Sequence, residues 1–326
     1  MVKEDIYHYP VPYVVFHGTP NAVYSITDYT DPEGRQVEIK LNELGFRIEK
    51  PLAKEKPQNE KRIFFVGSST IFNGYPLEKT IPGQVEQLFH QNGKINVQVY
   101  NFGFVSSVSG QELSLIVHLL SSYDPDAVVV YNGGNDVCLP TNFDPRPGFP
   151  YNFFAYESFM KKIRHDINQK GFRWILEGDE LQETYKTLQT SNDYATEKWE
   201  MNIVTQYIEN IVKMERFARG CGFKLYAFLE PVVFLKSPLV EKEKEISTTV
   251  YDIPDFHYYL QRQYQRIRQM FEFLQKNEEN PFGKFIDLSI IFQGYPYSVY
   301  RDFRHVNNEG NHFIAKNIFK SLRYDF

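Results

Sequence analysis

The feature that most constrains this chain is a beat of short apolar runs, each stopped by small or polar residues and followed by helical spacing. Ile63-Phe64-Phe65-Val66 stops at Gly67-Ser68-Ser69-Thr70. Val97–Tyr100 stops at Asn101-Phe102-Gly103, and Ala127-Val128-Val129-Val130-Tyr131 stops at Asn132-Gly133-Gly134-Asn135-Asp136. Between these runs, Val85, Leu88 and Phe89 share one helical face, behind a start signal at Thr80 and Pro82 and ahead of a stop at Asn92-Gly93. Leu113, Ile116, Val117 and Leu120 recur at the same period. The beat resumes with a helix over about 196–219, a strand over 224–229, a helix over about 256–275, a strand over 285–288 and a last helix from Asn308. Strands that are apolar throughout, with no polar alternation, must be covered on both faces. The pattern therefore predicts an α/β fold: a three-layer α/β/α, flavodoxin-like parallel sheet over roughly 61–135 and 200–326.

Two stretches fall outside the beat. Residues 1–60 are rich in Tyr, Pro and charge, with alternating pieces such as Val37–Leu41, and read as a β-rich extension; 50–61 reads as a linker. Residues 137–199 are too long for a simple connection and read as an insertion over the active face, in the manner of a lid. The organisation expected is an extension over 1–60 and a main domain over 61–326 that carries the insertion.

The totals exclude several classes. A net charge of -5 is wrong for a general nucleic-acid binder, which needs concentrated Lys and Arg to neutralise phosphates. Acids follow Met1 where a signal peptide needs basic and then apolar residues, and no run approaches the length of a membrane span. A cytoplasmic protein is expected. Cys138 and Cys221 lie near apolar runs without metal-ligand spacing and are expected as buried thiols. No phosphate loop, dinucleotide fingerprint or metal cluster is visible, so no cofactor is expected. Phe and Tyr are abundant, at 28 and 23, which suits a large core and aromatic-lined grooves for a sugar or acyl chain.

In a doubly wound sheet the ligand site lies at the carboxyl ends of the strands. Gly67-Ser68-Ser69-Thr70, Gly103 and Asn135 should converge there. Taken singly, each is an ordinary turn. A fourth piece, Asp302-Phe303-Arg304-His305, precedes the last helix; Asp and His three apart on a turn let the carboxylate fix the imidazole.

In chain order these pieces run Gly-x-Ser, Asn-x-Gly, Gly-x-Asn-Asp and Asp-x-x-His, spread over residues 63–314. That order resembles the SGNH (GDSL-like) hydrolase family. The flanking residues resemble the family's too, with Ile63-Phe64-Phe65-Val66-Gly67 before the serine, Ser109-Gly110-Gln111-Glu112-Leu113 after the glycine, and Val306-Asn307-Asn308-Glu309-Gly310-Asn311 after the histidine. The resemblance implies the family's fold and an acyl-transfer site. Ser69 would be the nucleophile, His305 its base and Asp302 the group that orients the base. The backbone N–H groups of Ser69 and Gly103 and the amide of Asn135 would form the oxyanion hole. Many members carry Asp just before the nucleophile, and Ser68 departs from that.

The reaction expected is serine esterase chemistry (hydrolysis of a carboxylic ester) on a small-molecule ester, such as an acylated sugar or a similar hydroxylated compound. An acyltransferase with a sugar acceptor uses the same residues, and a non-catalytic binding protein on the same fold is the alternative from another class. Glu230 and Arg146 are candidates to line the substrate pocket. Arg304 is a lesser candidate for an anionic group. Asp136 is expected to brace the loop of Asn135, Asp287 to cap a loop, and His118 and His312 to be structural.

Overall fold

The computed structural model describes residues 7–27, 35–169, 178–247, 255–276 and 283–326. Four short strands come first: β1 (Tyr9–Val11) pairs with β2 (Val15–His17), and β3 (Val23–Thr27) with β4 (Gln36–Lys40), both antiparallel. The main sheet follows. Its strands are β5 (Lys61–Gly67), β6 (Val97–Gly103), β7 (Ala127–Asn132), β8 (Lys224–Leu229) and β9 (Gly283–Asp287), in the order β6-β5-β7-β8-β9 and parallel throughout. This is the doubly wound arrangement that the beat predicts. All six residues of β7 are buried, as an unbroken run of Val in the middle of a covered sheet requires.

The helices are α1 (Ser69–Phe72), α2 (Ile81–Gln91), α3 (Ser109–His118), α4 (Gly134–Asn142), α5 (Phe153–Gln169), α6 (Gly178–Ser191), α7 (Glu197–Cys221), α8 (Glu241–Ser247), α9 (Phe256–Lys276) and α10 (Asn308–Leu322). One face of the sheet is covered by α2 packed on α10, the other by α3, α7 and α9 side by side. Local chemistry sets the boundaries. The Thr80 hydroxyl accepts the Gly83 N–H at 3.2 Å, Thr196 and Asn307 cap α7 and α10 in the same way, and Gly93 leaves α2 with φ of +78°.

The extension and the linker are tied to the sheet. Phe46 meets Phe102 edge-on at 5.1 Å, and Phe102 meets Phe64 at 5.0 Å, so an aromatic row runs from residue 46 into β6 and β5. The buried Arg62 guanidinium donates to the carbonyls of Ala53 and Tyr123 at 2.9 and 2.7 Å, pinning the linker. In the insertion, α4 is fully part of the core from Gly134 to Thr141, and the chain leaves the beat only after it. There α5 packs on α6. Cys138 is buried, but Cys221 is exposed at the last position of α7, where the helix runs out into solvent; the expectation of two buried thiols is corrected there. His118 is likewise exposed and stacks on Tyr13 at 4.1 Å. Among the described residues, no helix is long and apolar enough to cross a membrane.

Candidate active site

The winding reverses between β5 and β7, and their carboxyl ends are in register, Gly67 opposite Tyr131. Gly67 has no room for a side chain: a Cβ would lie 2.3 Å from the Tyr131 carbonyl oxygen. The chain therefore turns sharply into α1 with Ser69 as its first residue and Ser68 as N-cap. The Ser68 side chain makes no cap bond and lies 3.3 Å from the Thr70 hydroxyl. As the first residue of the helix, Ser69 has a backbone N–H without a partner inside it.

The triad residues come together. Ser69 Oγ is 2.8 Å from His305 Nε2, and His305 Nδ1 is 2.6 Å from Asp302 Oδ2. The other oxygen, Asp302 Oδ1, accepts the backbone N–H groups of Arg304 and His305 at 3.0 and 2.8 Å. Burial pushes the Asp302 carboxyl up, but His305 and those N–H groups outweigh it, and its pKa ends well below the usual carboxylate range. An ionised Asp302 leaves Nε2 as the proton acceptor facing Ser69.

The turn that carries Asn135 is held from beneath. Gly134 N–H donates to Glu230 Oε1 at 2.6 Å, and Asp136 accepts the Ser109 N–H at 3.1 and 3.0 Å and also its hydroxyl. Asn135 Nδ2 donates to the Ser107 carbonyl at 2.7 Å. An amide has a second N–H besides the one so used. The loop of Ser107 turns at Ser106, whose φ is +63°. Behind it Glu112 accepts from the Ser107 hydroxyl at 2.8 Å and from Asn132 Nδ2. Glu112 and Asp136 are sealed from water, which raises them to about 8 and about 7; the charge of Asp136 adds to the rise in Glu112.

Three sequence expectations are corrected. Gly103 N–H is taken by the Asn101 side chain at 2.9 Å, so it does not face a substrate. Glycine is required there because a Cβ would lie 2.7 Å from both Phe72 N and Ile71 Cγ2, underneath α1. Glu230 is fully buried, and a carboxyl closed off from solvent cannot line a pocket that a substrate enters. Arg146 is committed to Asp144 through two bonds of 2.8 and 2.6 Å and to Glu157 at 2.6 Å, and lies 3.8 Å over the Phe149 ring. It folds the insertion instead of facing a ligand. His312 bonds Gln84 at 2.8 Å, and Asp287 caps the Ser289 N–H at 2.8 Å.

Arg304 also lies in this site. Its guanidinium donates to Asn135 Oδ1 and lies 3.4 Å from Ser69 Oγ. Its signal was its place between Asp302 and His305, which forces it to the same end of the sheet. A cavity of about 10 Å³ adjoins the site, lined in part by Thr70, Tyr131, Arg304 and His305.

No protein-family model matches the chain, and no curated protein does either. Among solved structures it is similar to an acetyl xylan esterase, AlAXEase, at 13% identity over 80% of this chain and 99% of that one, with a TM-score of 0.43. It is similar also to a catalytic mutant of Axe2, an acetylxylan esterase from Geobacillus stearothermophilus, at 11% identity over 80% and 94%, TM-score 0.46. A third is a lipolytic protein of the G-D-S-L family from Desulfitobacterium hafniense, at 12% identity over 80% and 99%, TM-score 0.42. Likeness at this level carries no argument about chemistry or substrate, which rests on the residues themselves.

Proposed function

We propose that this chain is a serine esterase of the SGNH type, which removes a small acyl group from a carbohydrate or similar hydroxylated compound. The observation that carries the reading is the unbroken line Ser69 Oγ, His305 Nε2, His305 Nδ1, Asp302 Oδ2, with steps of 2.8 and 2.6 Å. A serine hydroxyl is a weak nucleophile until an adjacent base accepts its proton, and the base needs a third group to fix its tautomer. His305 takes the Ser69 proton as Oγ bonds the acyl carbon. It then gives that proton to the leaving alcohol, and a water repeats the cycle to free Ser69. The Ser69 N–H and the second N–H of Asn135 would donate to the oxygen that becomes negative.

The test is intact mass after incubation with a fluorophosphonate, on wild type and Ser69→Ala. One adduct on wild type that is absent from the variant supports an activated Ser69. A folded wild type that takes no adduct contradicts the reading and favours a binding protein on this fold. Release of acetate from acetylated sugars, measured on wild type, then tests the substrate class.

A further inference from the structure

We propose that Arg304 is a catalytic residue of this site, a positively charged oxyanion donor that holds the negative oxygen of the tetrahedral intermediate on Ser69. This rests on the esterase reading above. The guanidinium is placed by two groups of the site itself. Nη1 is held by Asn135 Oδ1, and Nη2 is thereby directed at Ser69 Oγ, 3.4 Å away. That separation is long for a hydrogen bond to the hydroxyl. It suits an oxygen bound to the carbon that Oγ attacks. The Phe303 ring lies 5.5 Å from the guanidinium carbon and supports it from the side.

Its charge also lacks an ion-pair partner. Among the described residues, no carboxylate lies within ion-pair distance of Arg304, and its Nε is buried without a hydrogen-bond partner. Glu230 is close enough to feel the charge but lies beyond ion-pair distance, and burial raises its pKa. A partly buried cation without a counter-ion is costly, and the cost is relieved when negative charge appears beside it. In this site negative charge appears on the acyl oxygen as Ser69 attacks. With Gly103 N–H occupied by Asn101, Arg304 also fills the third place among the donors.

The electron count is simple. The Ser69 proton passes to His305 Nε2, the Oγ–C bond forms, and the C=O pair moves onto oxygen next to Arg304 Nη2. On collapse that pair restores the C=O bond, the bond to the leaving alcohol breaks, and His305 protonates the alcohol. Arg304 keeps its proton throughout. This is differential binding: the contact with charged oxygen exists in the transition state and hardly at all in the ground state.

The experiment compares wild type, Ser69→Ala, Arg304→Ala, Arg304→Met and Arg304→Lys on p-nitrophenyl acetate, with melting temperature recorded for each. Arg304→Met is expected to lower kcat by ~10²–10³-fold, with KM within about 3-fold of wild type. Arg304→Ala is expected to regain activity when guanidinium ion is added, which a merely structural arginine would not allow. Arg304→Lys keeps a cation in a folded protein but loses the fork to Asn135, and is expected to fall between. A folded Arg304→Met variant with wild-type kcat overturns the proposal while leaving the esterase reading intact. So does a change confined to KM for an ester that carries a carboxylate, which would make Arg304 a recognition group. A wild type that hydrolyses nothing and takes no fluorophosphonate fails at the earlier step, and both readings fall together.

Discussion

Glu230 Oε1 accepts the backbone N–H of Gly134 at 2.6 Å, joining the end of β8 to the turn that presents Asn135. The contact leaves no room: a Cβ on Gly134 would lie 2.1 Å from that oxygen and 3.0 Å from the carboxyl carbon. Gly134→Ala is expected to cost about 1–3 kcal/mol in urea unfolding, as overpacking of a closed site does. It should also slow fluorophosphonate labelling, because Asn135 is the next residue. Wild-type stability in this variant would show that the carboxyl moves aside freely. Glu230→Gln keeps the acceptor and is expected to behave close to wild type.

Gly103→Ala separates packing from catalysis. The new methyl meets Phe72 N and Ile71, both in α1, the helix that begins with Ser69. The variant should lose about 1–3 kcal/mol and shift Ser69 away from His305. An unfolding midpoint equal to wild type, with activity gone, would instead point to a direct role of the Gly103 N–H.

Glu112 predicts how stability depends on pH. Its folded pKa is raised from an ordinary 4.5 to about 8, chiefly by burial. Below 4.5 it is protonated in both states. Above 4.5 the unfolded chain releases the proton and the folded one retains it, so stability falls as pH rises toward 8. Asp136 acts with the same sign between 3.8 and about 7. Glu112→Gln removes its own contribution, and its urea midpoint should decline less between about pH 5 and pH 8 than that of wild type. Parallel declines would mean that Glu112 is ionised in the fold.

Arg146→Met should act on the insertion and not on substrate. Asp144 is almost wholly buried, and losing the arginine leaves its carboxylate unpaired, a cost of about 3–5 kcal/mol. Hydrogen exchange over 144–157 should accelerate while KM for a small ester stays near wild type. A large rise in KM with unchanged exchange would return Arg146 to the substrate pocket.

Much of the scaffold was legible because a parallel sheet covered on both faces leaves an unmistakable trace. The Val128–Val130 run, the Thr80 cap and the small residues after Val66 follow from local rules. The positions of Ser69, Asn135 and His305 at one end of the sheet follow from topology once those strands are parallel. The details that failed depend on which partner a group finds. Nothing in the spacing says that the Asn101 side chain folds back onto Gly103 N–H, or that Glu230 points inward to Gly134. Arg146 belongs with these, since Asp144 two residues earlier holds its guanidinium.

Ser69 and His305 stand 236 positions apart in the chain, one after β5 and the other after β9. No early fragment of this protein can therefore hold both. Contacts of such long range close late, since the intervening loop entropy must be overcome first. During synthesis, serine reactivity should appear only once the chain through His305 has emerged and β9 has docked. Labelling at Ser69 would thereby serve as a clock for the docking of β9, the strand that delivers His305 to the serine.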